Sequence, residues 1–166
     1  MVEFELKSIS KDAVPEALER AHRYRLLNEP WQAESICLDV LQIEPANKTA
    51  LITLLLALTD QFDQQPVTSR AREVLASLDS EYDRAYYSGI ILERSARAHL
   101  KQNLPELSFI AEEFLDAMDC YEKAQAVRPE GNDESILRWN TCARTLMRHS
   151  ELRLRAKETL ESVLDD

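Results

Sequence analysis

Three histidines, three cysteines and a short run of carboxylates are the residues of this 166-residue chain with the best claim to chemistry. Their spacing gives them little to do. His22, His99 and His149 are scattered, and none stands at metal-ligand distance in sequence from another histidine or a cysteine. Each reads as a lone surface or groove histidine. Cys37, Cys120 and Cys142 include no C-x-x-C pair and lie in apolar, helix-forming settings, so they read as buried small hydrophobes in a reducing cytoplasm. Glu112, Glu113, Asp116 and Asp119 fall on one helical stretch. No neutral oxygen ligands or turn loop accompany them, and a solvated acidic face is expected. No Gly-rich phosphate loop, G-x-S-x-G or H-E-x-x-H occurs. The sequence therefore predicts no catalytic residue, no metal and no cofactor.

What remains is the chemistry of binding, and arginines, amides and large apolar side chains need a surface to present them. Two glycines in the whole chain, with abundant Leu, Ala, Glu, Arg and Gln, predict helix throughout. Apolar residues at helical spacing, broken by prolines and asparagines, divide the chain into eight helices. They run from about Lys11 to Asn28, Trp31 to Ile43, and from Asn47, as cap, to about Gln61. The fourth carries Val67, Ala71, Val74 and Leu75 after a turn at Gln64-Gln65-Pro66. The others span about Tyr82 to Leu100, Glu106 to Val127, Asp133 to His149, and Leu152 to Leu164. Short turns between them predict antiparallel neighbours stacked in order. The longest apolar run, Leu54 to Leu58, is far short of the roughly 18 residues of a membrane span, and the first residues do not read as a secretion signal.

One pattern occurs twice. Ala33, Cys37, Val40 and Pro45 recur as Ala117, Tyr121, Ala124 and Pro129 with unchanged offsets. Small residues that let helices approach, a bulkier one between them, then Pro where the helix stops, describe a repeating helical hairpin. Ala21, Leu55 and Gly89 lie 34 residues apart each time, but the next small residue, Ala143, comes 54 later. About 20 extra residues are therefore expected in the third unit, around Lys101 to Ser108 and in longer flanking helices.

These residues resemble the tetratricopeptide repeat, whose first helix reads W-x2-L-G-x2-Y and whose second reads A-x3-F-x2-A before a Pro. Ala21 and Tyr24 match first-helix places, Trp139-x2-Cys142-Ala143-x2-Leu146 is close to the whole first-helix pattern, and Ala117, Tyr121, Ala124 and Pro129 supply the second. The resemblance implies an all-α superhelix of stacked antiparallel hairpins: an arm at 1–11, a repeat domain at 12–149 and a capping helix at 150–166. It also implies a concave groove lined by the first helix of each pair. In that frame His22, Arg25, Ile52, Leu56, Tyr86, Ile90, Glu93, Asn140, Arg144 and Arg148 line the groove. The set does not reproduce the Lys/Asn carboxylate clamp of some tetratricopeptide co-chaperones.

A formal net charge of −10 argues against nucleic acid and anionic membranes. The acidity is concentrated in the second helices of the pairs, and the first helices are neutral to positive. The expected function is a non-enzymatic cytoplasmic adaptor or scaffold that binds a peptide or helix of a protein partner, with acidic groups favoured by groove arginines. A small chaperone for a secreted or assembling client is the alternative. A third reading is a small-ligand protein or enzyme using the irregular third unit. The stretch Met1 to Ser10, with Val2, Phe4, Leu6 and Ile9, is an arm that another copy's groove could take, which leaves homo-oligomerisation open.

Overall fold

The computed structural model describes residues 2–64, 68–103 and 105–164. The expected turn residues Gln65 and Pro66, together with Val67, lie outside the described residues. After an uncoiled segment and a 3-10 turn at Lys11–Ala13 come eight α-helices: α1 Val14–Leu26, α2 Pro30–Ile43, α3 Lys48–Thr59, α4 Thr68–Ala76, α5 Glu81–Lys101, α6 Leu107–Ala126, α7 Glu134–Arg148 and α8 Ser150–Leu164. No strand occurs among the described residues.

Local chemistry accounts for the boundaries. Pro30 occupies the first turn of α2, where its missing N–H costs nothing. Asn47 caps α3, its side-chain oxygen accepting from the Ala50 N–H at 2.9 Å, and Ser80 does the same for α5 at the Asp83 N–H. Asn28 and Asn103, just after α1 and α5, take left-handed φ of 60° and 52°, a conformation Asn tolerates at helix ends. The extra length expected in the third unit lies in its helices: α5 has 21 residues and α6 has 20, against 13 and 14 for α1 and α2.

Each helix packs on its successor, and the odd helices also meet, α1 on α3 and α3 on α5, while α6 meets α8. The result is an all-α, solenoid-like stack of neighbouring pairs. Its interior holds two large apolar clusters and a small third one around Val14, Val40 and Ala50. One large cluster joins α1 to α4 around Ala21, Ala33, Cys37, Leu55 and Leu58, and reaches Ile91 of α5. The other joins α5 to α8 around Ile90, Phe114, Tyr121, Cys142 and Leu152. Leu56 and Tyr87 border both. The duplicated pattern is buried in both places: Ala33, Cys37 and Val40 on α2, and Ala117, Tyr121 and Ala124 on α6, have no exposed surface.

Helices α5 and α6 approach closely at Gly89. A Cβ there would stand 2.5 Å from Cε1 of Tyr121, so α5 and α6 meet this closely only because that position has no side chain. The terminal helix α8 buries Leu152 and Ala156 but leaves Leu154, Leu160, Val163 and Leu164 exposed. No described helix is long and apolar enough to cross a membrane.

Candidate functional site

A cavity of about 480 Å³ opens between the odd-numbered helices. Its apolar and aromatic wall is Leu56 of α3 with Tyr82, Tyr86, Tyr87 and Ile90 of α5. The tyrosines form a ladder: Tyr82 stacks on Tyr86 at 5.7 Å, and Tyr87 meets Tyr86 edge-on at 5.0 Å. Three guanidinium groups converge on the same space, from Arg25 of α1, Arg94 of α5 and Arg138 of α7. Two carboxylates border it: Asp83, paired with Lys48 at 2.5 Å, and Glu134, which accepts from the Tyr86 hydroxyl at 3.3 Å. Tyr82 donates to Asn132 Oδ1 at the mouth.

Behind the cavity each arginine is held by an acid. Asp60, following α3, takes Arg25 Nε at 2.8 Å and Arg94 Nη1 at 2.5 Å. Arg94 also donates to Thr59 Oγ1 at 2.6 Å and to the Leu56 carbonyl at 3.2 Å. One guanidinium thus ties α5 to the last turn of α3 and, through Asp60 and Arg25, to α1. Burial holds the Arg94 pKa below its ordinary value; Asp60 opposes this, and the neighbouring Arg25 and Arg138 charges add to it.

Glu93 lies one turn from Gly89 and is fully buried. It accepts from the Tyr121 hydroxyl at 2.7 Å and from Arg97 Nε at 3.0 Å, and Arg138 Nη1 approaches to 3.5 Å. A carboxylate out of contact with water requires this much compensation. Its charge is felt in return. Burial, followed by the Glu93 charge, pushes the Tyr121 hydroxyl far above the ordinary tyrosine value. Burial works to lower the Arg138 pKa, but Glu93, with Tyr121 and Tyr86, carries it above the ordinary arginine value.

The structure brings some of the expected groove residues together and separates others. Arg25, Leu56, Tyr86 and Ile90 share the cavity, with Glu93 beneath it as a structural anion. Ile52 is half-buried against the core of the first four helices. His22 is exposed and lies in a separate, more apolar depression of about 590 Å³ between α1 and α3, beside Pro15, Leu18 and Leu26. Asn140 is half-buried, Arg144 and Arg148 are exposed, and none of the three borders the cavity. Helix α7 turns Glu134 and Arg138 toward it instead, while Thr145 meets Arg97. At 3.6 residues per turn, the row Asn140, Arg144, Arg148 points roughly 80–160° away from Arg138. The 34-residue frame fails there because the third unit lengthens its helices, and at the expected small-residue place it is Cys142 that is fully buried, with Ala143 only half-buried.

Tyr82, Tyr87, Arg94 and Arg138 escaped the sequence reading. Glu93 was the available signal. It falls on the same helical strip as Gly89 and Ala96, and an acid in a close-packing strip demands a cation from a facing helix.

The acidic row on α6 also needs correction. Glu112, Asp116 and Asp119 are exposed, but Glu113 is buried. It accepts from Ser95 Oγ at 2.6 Å and faces His99 Nδ1 at 2.8 Å. Here the carboxylate sits between hydroxyl and imidazole, so the imidazole does not touch the hydroxyl as nucleophile activation requires. The trio brackets α5 to α6. Among the described residues no group of three or more His, Cys, Asp or Glu is disposed to hold a metal ion.

No family model matches this chain, and no curated protein or solved structure matches it.

Proposed function

We propose that this chain is a non-enzymatic protein–protein interaction module, a tetratricopeptide-like helical repeat that takes a peptide or helix of a partner into the cavity between its odd-numbered helices. One observation carries the reading: every wall of that cavity comes from α1, α3, α5, α7 or the turn entering α7. A stack whose alternate helices share one face has its open concave surface there.

The wall chemistry names the partner's. Leu56, Tyr82 and Tyr87, each partly exposed, offer an apolar floor on which one or two side chains of a peptide anchor. Around it Arg25, Arg94, Arg97, Arg138 and Lys48 outnumber Asp60, Asp83, Glu93 and Glu134, so this region is slightly cationic in a chain of net charge −10. Acidic partner groups gain a bidentate donor there, and the acidic remainder of the surface discourages other anions.

Fluorescence anisotropy with ten-residue peptides carrying one aromatic residue and two glutamates, against the same peptides with lysines, tests the reading. The acidic set binds saturably, at least tenfold more tightly than the basic set, and loses that advantage at high salt. Tyr82→Ala weakens it at least tenfold. Equal binding of both sets, or indifference to Tyr82→Ala, removes the proposal.

A further inference from the structure

We propose that the occupant of this cavity is the extended segment 2–8 of a second copy of the chain, exchanged reciprocally between two copies. The inference rests on the cavity's being a docking site, as proposed above, and names what docks.

The segment carries its own evidence of an unmet partner. Val2, Phe4 and Leu6 are 77%, 84% and 83% exposed, among the most exposed large apolar side chains of the molecule. They alternate with Glu3 and Glu5. In an extended backbone successive side chains leave on opposite sides, so the segment has an apolar edge and an edge of Glu3, Glu5 and Lys7 that is acidic by one net charge. The cavity offers the complement of both: the partly exposed Leu56, Tyr82 and Tyr87 for the first, and Arg25, Arg94 and Arg138 for the second. In a chain of net charge −10, a slightly cationic cavity is a favourable place for Glu3 and Glu5.

The segment's attachment favours exchange over self-coverage. Ile9 packs with Val14, Val40 and Ala50 in the small cluster between α1, α2 and α3. That contact fixes the base of the segment on its own body, and the residues before Ile9 stand out in solvent. A two-fold exchange, in which each copy gives one segment and receives one, closes the assembly at two copies.

Sedimentation velocity of the full chain between about 5 and 200 µM is the test, with labelled peptide 2–10 as an independent probe. Phe4 and Leu6 are exposed, so Phe4→Asp with Leu6→Asp leaves helicity unchanged. The wild-type chain forms a concentration-dependent dimer, and this variant shifts the midpoint at least tenfold upward. The labelled peptide binds the variant saturably, and Tyr82→Ala in the same background weakens it at least tenfold. A wild-type chain that stays monomeric throughout, or a dimer indifferent to the two aspartates, overturns the inference. So does a monomeric wild type whose peptide affinity rises tenfold on introducing the aspartates, because its own segment then covers its own cavity. If unrelated acidic peptides bind and peptide 2–10 does not, this inference falls and the interaction-module reading stands. If neither binds, both fall.

Discussion

Glu93 shows how one buried charge can organise three helices. Its carboxylate is 1% exposed, whereas Arg97 and Arg138 keep 39% and 30% of their side-chain surface in water. The arginines can therefore rehydrate if the acid is lost, but the acid cannot if its donors are lost. Replacing Tyr121 by Phe removes the shortest hydrogen bond to that carboxylate, and a hydrogen bond to a charged group contributes about 2 kcal/mol. Glu93→Leu leaves the Tyr121 hydroxyl unpaired while both arginines rehydrate, with a loss of about 1–3 kcal/mol expected. Urea denaturation midpoints should fall for both Tyr121→Phe and Glu93→Leu, and a wild-type midpoint in either would contradict the contact described. The same ring bounds Gly89. An added methyl at 2.5 Å from Cε1 cannot be absorbed by a buried tyrosine fixed at its hydroxyl, so Gly89→Ala should destabilise by about 1–3 kcal/mol, although Ala is ordinarily the better helix former. A thermal melt that rises on this substitution contradicts the packing described.

Among the elements, helix starts follow from single side chains. Asn47 satisfies the Ala50 N–H and also donates to Glu44 Oε2 at 2.7 Å, bracing the turn between α2 and α3. Asn47→Ala should cost about 1 kcal/mol, read as a lower urea midpoint with an unchanged slope. Asn47→Asp keeps a capping oxygen and loses the amide donor, so its midpoint should fall between those of Asn47→Ala and the wild type. The long pair α5 and α6 is held along its length by Gly89 against Tyr121, then by Glu113 on Ser95 and His99. Both contacts fall where an apolar strip admits one polar or missing side chain. Period alone locates the strip; the identity of the facing residue does not follow from it.

Across the whole molecule, burial of ionisable groups ties stability to pH. Burial pushes the Cys37 and Cys142 thiols up to about 12 from an ordinary value of 9.0, and it raises Tyr87 and Tyr121 as well. Above about pH 9 the unfolded chain releases thiol protons that the folded chain retains. Folding stability is then complete below that pH and falls as pH rises toward 12. The urea midpoint should drop measurably between pH 8 and pH 10.5, and Cys37→Ala with Cys142→Ala should flatten the fall while lowering the starting value. A midpoint constant over that range would mean that the two thiols are not sequestered. Arg94 supplies the matching long-range tie, because through Asp60 it joins helices of the first three odd positions.

The helices, their order and the residues that let them approach could all be read from the chain before any coordinates. Ala33, Cys37 and Val40 and their counterparts Ala117, Tyr121 and Ala124 are fully buried because a 3.6-residue period and side-chain size are local properties. Arg25, Leu56, Tyr86 and Ile90 were legible as neighbours because the 34-residue period sets Ile90 of α5 at the place of Leu56 in α3, although His22 at that place of α1 lies in a separate depression. What the fourth pair shows to the cavity emerged only from the packing of the helices. Helices α5 and α6 lengthen, α7 rotates to suit them, and Arg138 comes inward where Arg144 and Arg148 were expected. The same packing selects which acids are buried, Glu93 and Glu113 among several alike in sequence. Burial depends on what the facing helix brings, and that is a long-range property that no window of adjacent residues contains.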